Sequence, residues 1–163
     1  MADISLRSID KHNYRPIAKL SNTLPADQQR FVAHNAISML DVYYDSEHLS
    51  QWAAYADDAP VGYVMYGFDP DTRDWWIVRL MVAHDQQGKG YGRAIMEAVI
   101  ARLSAQPGCD AIHISFVPEN AAARALFGEL PRRGFGIDTD LGDLWLEATT
   151  AMEPPASTSR TPS

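Results

Sequence analysis

The sequence has a single cysteine, Cys109, which excludes an internal disulfide and a cysteine-based zinc cluster. No run approaches the roughly 18 apolar residues that a membrane span requires. The opening segment, Met1 to Asn13, is polar and charged and lacks the apolar stretch of a secretory signal. The expected compartment is therefore the cytoplasm, with no membrane partner. Positive charge is also scarce: 14 Lys and Arg stand against 21 Asp and Glu, a formal charge of −7. A nucleic-acid partner needs a basic face, so none is expected. An acidic surface serves solubility first, and draws cations toward a cleft second. His12, His34, His48 and His113 show no metal-ligand spacing, and no metal is expected.

What the chain does have is 163 residues, 46% of them hydrophobic. That suffices for one domain with a real core. A short strand is expected over Ile4 to Leu6, then a helix between Asp10 and Leu20 that breaks or begins near Pro16. From Asp27 to Tyr44 the residues Val32, Ala36, Met39, Leu40 and Tyr43 recur at helical spacing. Gln51 to Ala56 and Val61 to Phe68 read as strands joined by a turn at Asp57 to Pro60. Asp74 to Val82 is almost unbroken in its apolar character, as in a strand buried on both faces. Gly90 to Leu103 is the clearest helix, with Ile95, Met96, Val99, Ile100 and Leu103 on one side. Ile112 to Phe116 reads as a strand, Asn120 to about Leu130 as an alanine-rich helix, and Phe135 to Ile137 and Leu144 to Ala148 as final strands. Residues 153–163, rich in Pro, Ser and Thr, are expected to be a disordered tail, leaving 1–152 as one domain. The order implies an α/β (α+β) fold: a mixed central sheet of about seven strands with helices on both faces.

The chemistry concentrates in Gln87-Gly88-Lys89-Gly90-Tyr91-Gly92-Arg93. Glycines let a backbone turn sharply and let an anion approach it. The first amides of a helix are unpaired and carry partial positive charge. A phosphate or pyrophosphate site is therefore expected here, with Lys89 and Arg93 adding charge. The spacing is neither the nucleoside-triphosphate loop, since Gly90 follows Lys89, nor the dinucleotide fingerprint, since it runs G-x-G-x-G.

Gln87-x-x-Gly90-x-Gly92 after such a strand resembles the signature of the GCN5-related N-acetyltransferases (GNAT). Asn120-x-x-Ala123-x-x-Leu126-Phe127, followed by Gly134-Phe135, resembles that family's next motif. The resemblance spans about residues 4 to 149. Phe31 to Tyr44, Val61 to Gly67 and Trp76 to Met81 look more particularly like bacterial spermine/spermidine acetyltransferases. The resemblance implies one acetyltransferase domain that moves an acetyl group from acetyl-CoA to a primary amine in a ternary complex. It implies that the amides of Gln87, Gly88, Lys89, Gly90, Tyr91 and Gly92 hold the pyrophosphate, with Arg93 beside them. The main chain of Leu80, Met81 and Val82 would bond the pantetheine arm. The Asp74–Val82 and Ile112–Phe116 strands would splay into a V-shaped slot. Asn120 either contacts the coenzyme arm or caps its helix. Relatives often form dimers, so a homodimer is an expectation.

Two departures stand out. Phe127 occupies the position where the family commonly places a tyrosine that protonates the departing thiol. A thiol of pKa near 8.5 leaves tolerably without help, but a positioned acid contributes roughly 10²- to 10⁴-fold. Ser115, Tyr91 or a water are candidate replacements. Pro131-Arg132-Arg133 looks like an insertion. For the base, Asp85 and His84 are weak candidates beside a chain of waters. For the acceptor, Asp41, Tyr43, Tyr44, Asp45 and Glu47 could hold a polycation by charge and cation–π contact, or form a plain solvated helix end. Arg79, if it faces the slot, repels a cation unless a carboxylate pairs with it. The first expectation is a polyamine acceptor such as spermidine or spermine. Alternatives are another amine (an amino acid, an aminoglycoside or a protein N-terminus) and an acyl-CoA-binding sensor with little catalysis.

Overall fold

A computed structural model describes residues 3–109, 111–115, 120–128, 135–138 and 143–147, with backbone alone for 115, 127–128 and the last two segments. The Pro131–Arg133 insertion and the tail at 153–163 lie outside the described residues. The elements are β1 (Ser5–Arg7), α1 (Tyr14–Lys19), α2 (Ala26–Gln29), α3 (Asn35–Tyr44), β2 (Leu49–Ala56), β3 (Ala59–Asp69), β4 (Asp74–Val82), α4 (Tyr91–Ser104), β5 (Ala111–Ser115), α5 (Ala121–Gly128), β6 (Phe135–Asp138) and β7 (Asp143–Glu147). They form a mixed α/β domain on one mixed sheet, ordered β1-β2-β3-β4-β5-β7-β6. Only β4 and β5 run parallel; every other neighbouring pair is antiparallel.

Each face of the sheet has its own core. On one, Ile95, Met96, Val99 and Leu103 of α4 pack on Val64, Ile77, Ile112 and Ile114. These α4 positions recur every three or four residues, so one helix face carries them all. On the other, Ile17, Leu24 and Val42 cover Ala53, Tyr63, Met65 and Met81. β4 is served from both sides, as its near-continuous apolar sequence requires.

The expected long helix over Asp27 to Tyr44 is divided. Residues 30–34 break it, and α3 restarts at Asn35 with His34 as its cap, Nδ1 accepting from Ala36 N at 3.2 Å. Its buried residues are Asn35, Ser38 and Val42, while Leu40 and Tyr43 of the expected stripe are exposed. Two buried hydrogen bonds fix this rotation: Asn35 Nδ2 donates to Ile17 O and Asn35 N donates to Ser21 Oγ, both at 2.8 Å.

Two local features position the site. β3 pairs Met65 with Arg79 and Tyr66 with Ile77, so Val78 is an extra residue, a bulge in β4. Immediately before it, β4 and β5 are paired only at Trp75–Ile112, Trp76–His113 and Ile77–Ile114. Beyond Ile77 no pair joins the two strands among the described residues.

Candidate active-site cleft

The gap left where β4 parts from β5 opens into a cleft of ≈ 940 Å³. Its floor is β4 from Trp76 to Val82, and its far wall comes from Ile114, Asn120 and α5. One end is closed by the loop ahead of α4, the other side by Leu24, Gln28, Phe31 and Val32.

The loop has the geometry its glycines foretell. Gly88 and Gly90 have φ of 78° and 84°, in the left-handed region that glycine occupies freely. The first bond of α4 runs from Ala94 N to Gly90 O at 3.1 Å. The amides of Tyr91, Gly92 and Arg93 lie ahead of it and have no carbonyl of their own helix to meet. A Cβ on Gly88 would meet nothing within 4 Å, so the loop faces open space. These features fit a pyrophosphate: bare N–H groups, the positive end of a 14-residue helix, and room in front of it. Arg93 lines the cleft but is shared with Glu97 at 2.9 Å, and Lys89 donates to Gln86 Oε1 at 3.1 Å instead of lining it. The loop's attraction for an anion therefore rests on main-chain dipoles more than on side-chain charge.

The floor is built for main-chain contact. Ala83 N donates to Val61 O at 2.8 Å, toward β3. By the alternation of a strand, Met81 also turns its main-chain polar groups to β3, while Leu80 and Val82 turn theirs into the cleft. Gln87 Nε2 takes one of these, donating to Val82 O at 3.1 Å. Gln87 is also joined to Gln28 by a reciprocal amide pair, at 2.9 and 3.3 Å, which fastens the loop to α2 across the cleft mouth. Nothing in the sequence singles out Gln28, because its role depends on a partner 59 residues away.

Of the residues anticipated for the coenzyme, Leu80, Met81, Val82, Gln87, Gly88, Gly90, Tyr91, Gly92, Arg93 and Asn120 line the cleft together. Asn120 caps α5, its Oδ1 accepting from Ala123 N at 3.1 Å, while its residue borders the cleft. The side chains of Phe127 and Ser115 lie outside the described residues. His84 and Asp85 are exposed on the turn after β4 and are not in the lining. Nor are Asp41, Tyr43, Tyr44 and Glu47: α3 is turned so that Tyr43 and Tyr44 are 75% and 81% exposed. Asp45 instead borders a smaller adjoining hollow with His48 and Asp69, which meets the cleft at Trp76 and Val78. There His48 Nδ1 and Asp45 Oδ1 lie 2.8 Å apart, and this bond raises the imidazole pKa above its ordinary value. Among the described residues, no Asp, Glu or His lines the main cleft. Its cations are Arg79 and Arg93. No group of three or more described His, Cys, Asp or Glu residues is placed to hold a metal ion. No helix of the described residues is long and apolar enough to cross a membrane.

Comparison with known proteins places this architecture. The model of the acetyltransferase (GNAT) family matches residues 20–135, and the chain belongs to that family. The spermine/spermidine N(1)-acetyltransferase of Bacillus subtilis (strain 168) is 30% identical over 93 residues, 53% of this chain. The match spans 59% of that relative's length. Two solved structures share the fold at low identity. A ribosomal L7/L12 alpha-N-protein acetyltransferase (RimL) in complex with coenzyme A has a TM-score of 0.67 at 12% identity, covering 88% of this chain and 92% of its own. An aminoglycoside acetyltransferase, AAC(6')-Ib, in complex with coenzyme A has a TM-score of 0.68 at 17% identity, covering 89% and 95%.

Proposed function

We propose that the chain is an N-acetyltransferase that transfers the acetyl group of acetyl-CoA to a primary amine bound in the same cleft. The observation that carries this reading is the parting of β4 from β5 at Val78, directly below a loop of unpaired helix-start amides. The pyrophosphate would lie on the amides of Gly88 to Gly92 and the extended arm along Leu80 and Val82. Asn120 would border that arm from the α5 side. The bound donor supplies an acetyl group activated as a thioester. The neutral amine forms an N–C bond to the thioester carbon, giving a tetrahedral oxyanion; the C–S bond then breaks, the nitrogen gives up a proton and the sulfur takes one up. A cleft-facing N–H of Leu80 or Val82 would stabilise the carbonyl oxygen where negative charge develops.

Polyamines are the acceptors suggested by the Bacillus relative, and the hollow bordered by Asp45 and Asp69 supports them. Asp41, Tyr43, Tyr44 and Glu47 would then meet such an acceptor outside the cleft. A second reading, an amine that carries its own negative charge, is favoured by a cleft lined with two arginines and no described acid. Ser115 as proton donor, and His84 or Asp85 as base, are the catalytic groups proposed from the sequence. A homodimer is proposed only by analogy, and so are residues 1–152 as the domain.

Thiol release from acetyl-CoA across a panel of amines tests the function. Acetyl-CoA-dependent turnover of at least one amine is expected. Tight coenzyme binding with no thiol released by any amine would instead identify an acyl-CoA sensor. Phe127→Tyr restores the hydroxyl that the family commonly places there, and is expected to raise kcat by about a hundredfold, the lower end of general-acid help. An unchanged kcat would mean that the sulfur is already served by another donor.

A further inference from the structure

Arg79 is the one charged side chain on the floor of the cleft. It sits one residue past the Val78 bulge, opposite Met65, where the splay begins. Its Nη1 donates to the neighbouring Val78 O at 2.8 Å. Its Nε is buried and has no hydrogen-bond partner. No carboxylate among the described residues forms an ion pair with it. Its field and that of Asp41 both reach Tyr63, where burial is the main cause of a raised pKa, yet Asp41 does not pair with it.

A guanidinium taken partly out of water with donors unused is costly to the protein that carries it. The cost is relieved by an oxyanion that accepts two parallel N–H bonds, the geometry an arginine fork is made for. The wall facing β4 is largely apolar, with Leu24, Phe31 and Val32 beside the polar Gln28. A polycation brought to this point meets a like charge and no described acid inside the cleft.

We propose that Arg79 determines acceptor specificity by binding a carboxylate, and that the acceptor is an amine carrying that carboxylate on an apolar body, the chemistry of an apolar amino acid. This rests on the acetyl-transfer reading above and narrows its acceptor. The guanidinium anchors the carboxylate on β4, and the apolar wall takes the side chain. The positive charge also works against an ammonium form of the nearby amine, so it favours the neutral nucleophile that the reaction needs.

The test pairs acids with their amides. Thiol release from acetyl-CoA is measured with leucine and leucinamide, phenylalanine and phenylalaninamide, and spermidine as reference. The amide's amine loses its proton more readily than the acid's, so a preference for the acid cannot come from amine basicity. We expect kcat/KM for the acids to exceed that for the amides and for spermidine by tenfold to a hundredfold, the usual effect of a bond to a charged group. Arg79→Gln should bring the acid-to-amide ratio down to about one, chiefly through KM, with coenzyme affinity by calorimetry kept. Arg79→Lys, which keeps the charge and loses the fork, should fall between. Equal turnover of acid and amide, a preference for spermidine, or a variant that lowers both members of a pair alike would overturn the assignment. Should the glutamine variant fail to fold, the wild-type ratio and the lysine variant still decide. Failure to bind coenzyme, or no thiol release with any amine, would instead remove the acetyl-transfer reading on which the assignment rests.

Discussion

Gly90→Val is expected to abolish coenzyme A binding, with affinity reduced at least about a hundredfold by titration calorimetry. Gly90 precedes the first turn of α4 with φ of 84° and ψ of 5°. A branched side chain in that region is strained by about 1–3 kcal/mol. The strain is released most easily by unwinding the turn, which takes the amides of Tyr91, Gly92 and Arg93 off their common aim. Gly90→Asn, which tolerates a left-handed backbone better, should lose less. The fold should survive both changes, because Gly90 contributes to neither core. Coenzyme binding at wild-type affinity in the valine variant would remove the loop from the site.

Gly62→Ala should have the largest effect on stability. Gly62 lies on β3 opposite Val82, and a Cβ there would stand 2.7 Å from Met81 O and 2.9 Å from Ile95 Cδ1. The Ile95 side chain has little freedom to yield, since it is fully buried. The Met81 carbonyl is main chain and yields only if β4 moves. Overpacking of this kind costs about 1–3 kcal/mol. For a chain of this size each kcal/mol lowers Tm by about 2–4 °C. A thermal melt should therefore show a fall of several degrees. Because the displaced strand is the cleft floor at Leu80–Val82, coenzyme affinity should fall with it. A variant that melts with the wild type would show that β3 and β4 separate there more freely than their packing indicates.

The parts of the molecule visible in the sequence are those whose signals are local. β4 declares itself by nine residues of nearly unbroken apolar character, α4 by its periodic face, and the loop between them by its glycines. Their alignment into one cleft follows from chain order. The orientation of α3 is hidden in the sequence because its inward face carries Asn35 and Ser38, which hydrophobic periodicity counts as outward. Asn35 is tolerated inside only because Ile17 O and Ser21 Oγ complete its hydrogen bonds, and those partners are distant in sequence. The break before α3 was invisible for a related reason, since histidine is not among the usual N-cap residues. The bulge at Val78 has no compositional mark at all: a valine is as much at home in a regular strand. Arg79 was legible as a conflict, a charge in an apolar strand. Only the structure shows that none of the described acids resolves it.

The parted strands have one more consequence. A sheet normally exposes unpaired main-chain groups only at its two margins, where natural proteins guard them against strangers. Among the described residues this molecule carries a third such margin in its interior, the flank of β4 from Val78 onward. Whatever extended molecule lies there serves as a temporary strand. A donor seated along that flank would shield it, and should raise the melting temperature of the protein.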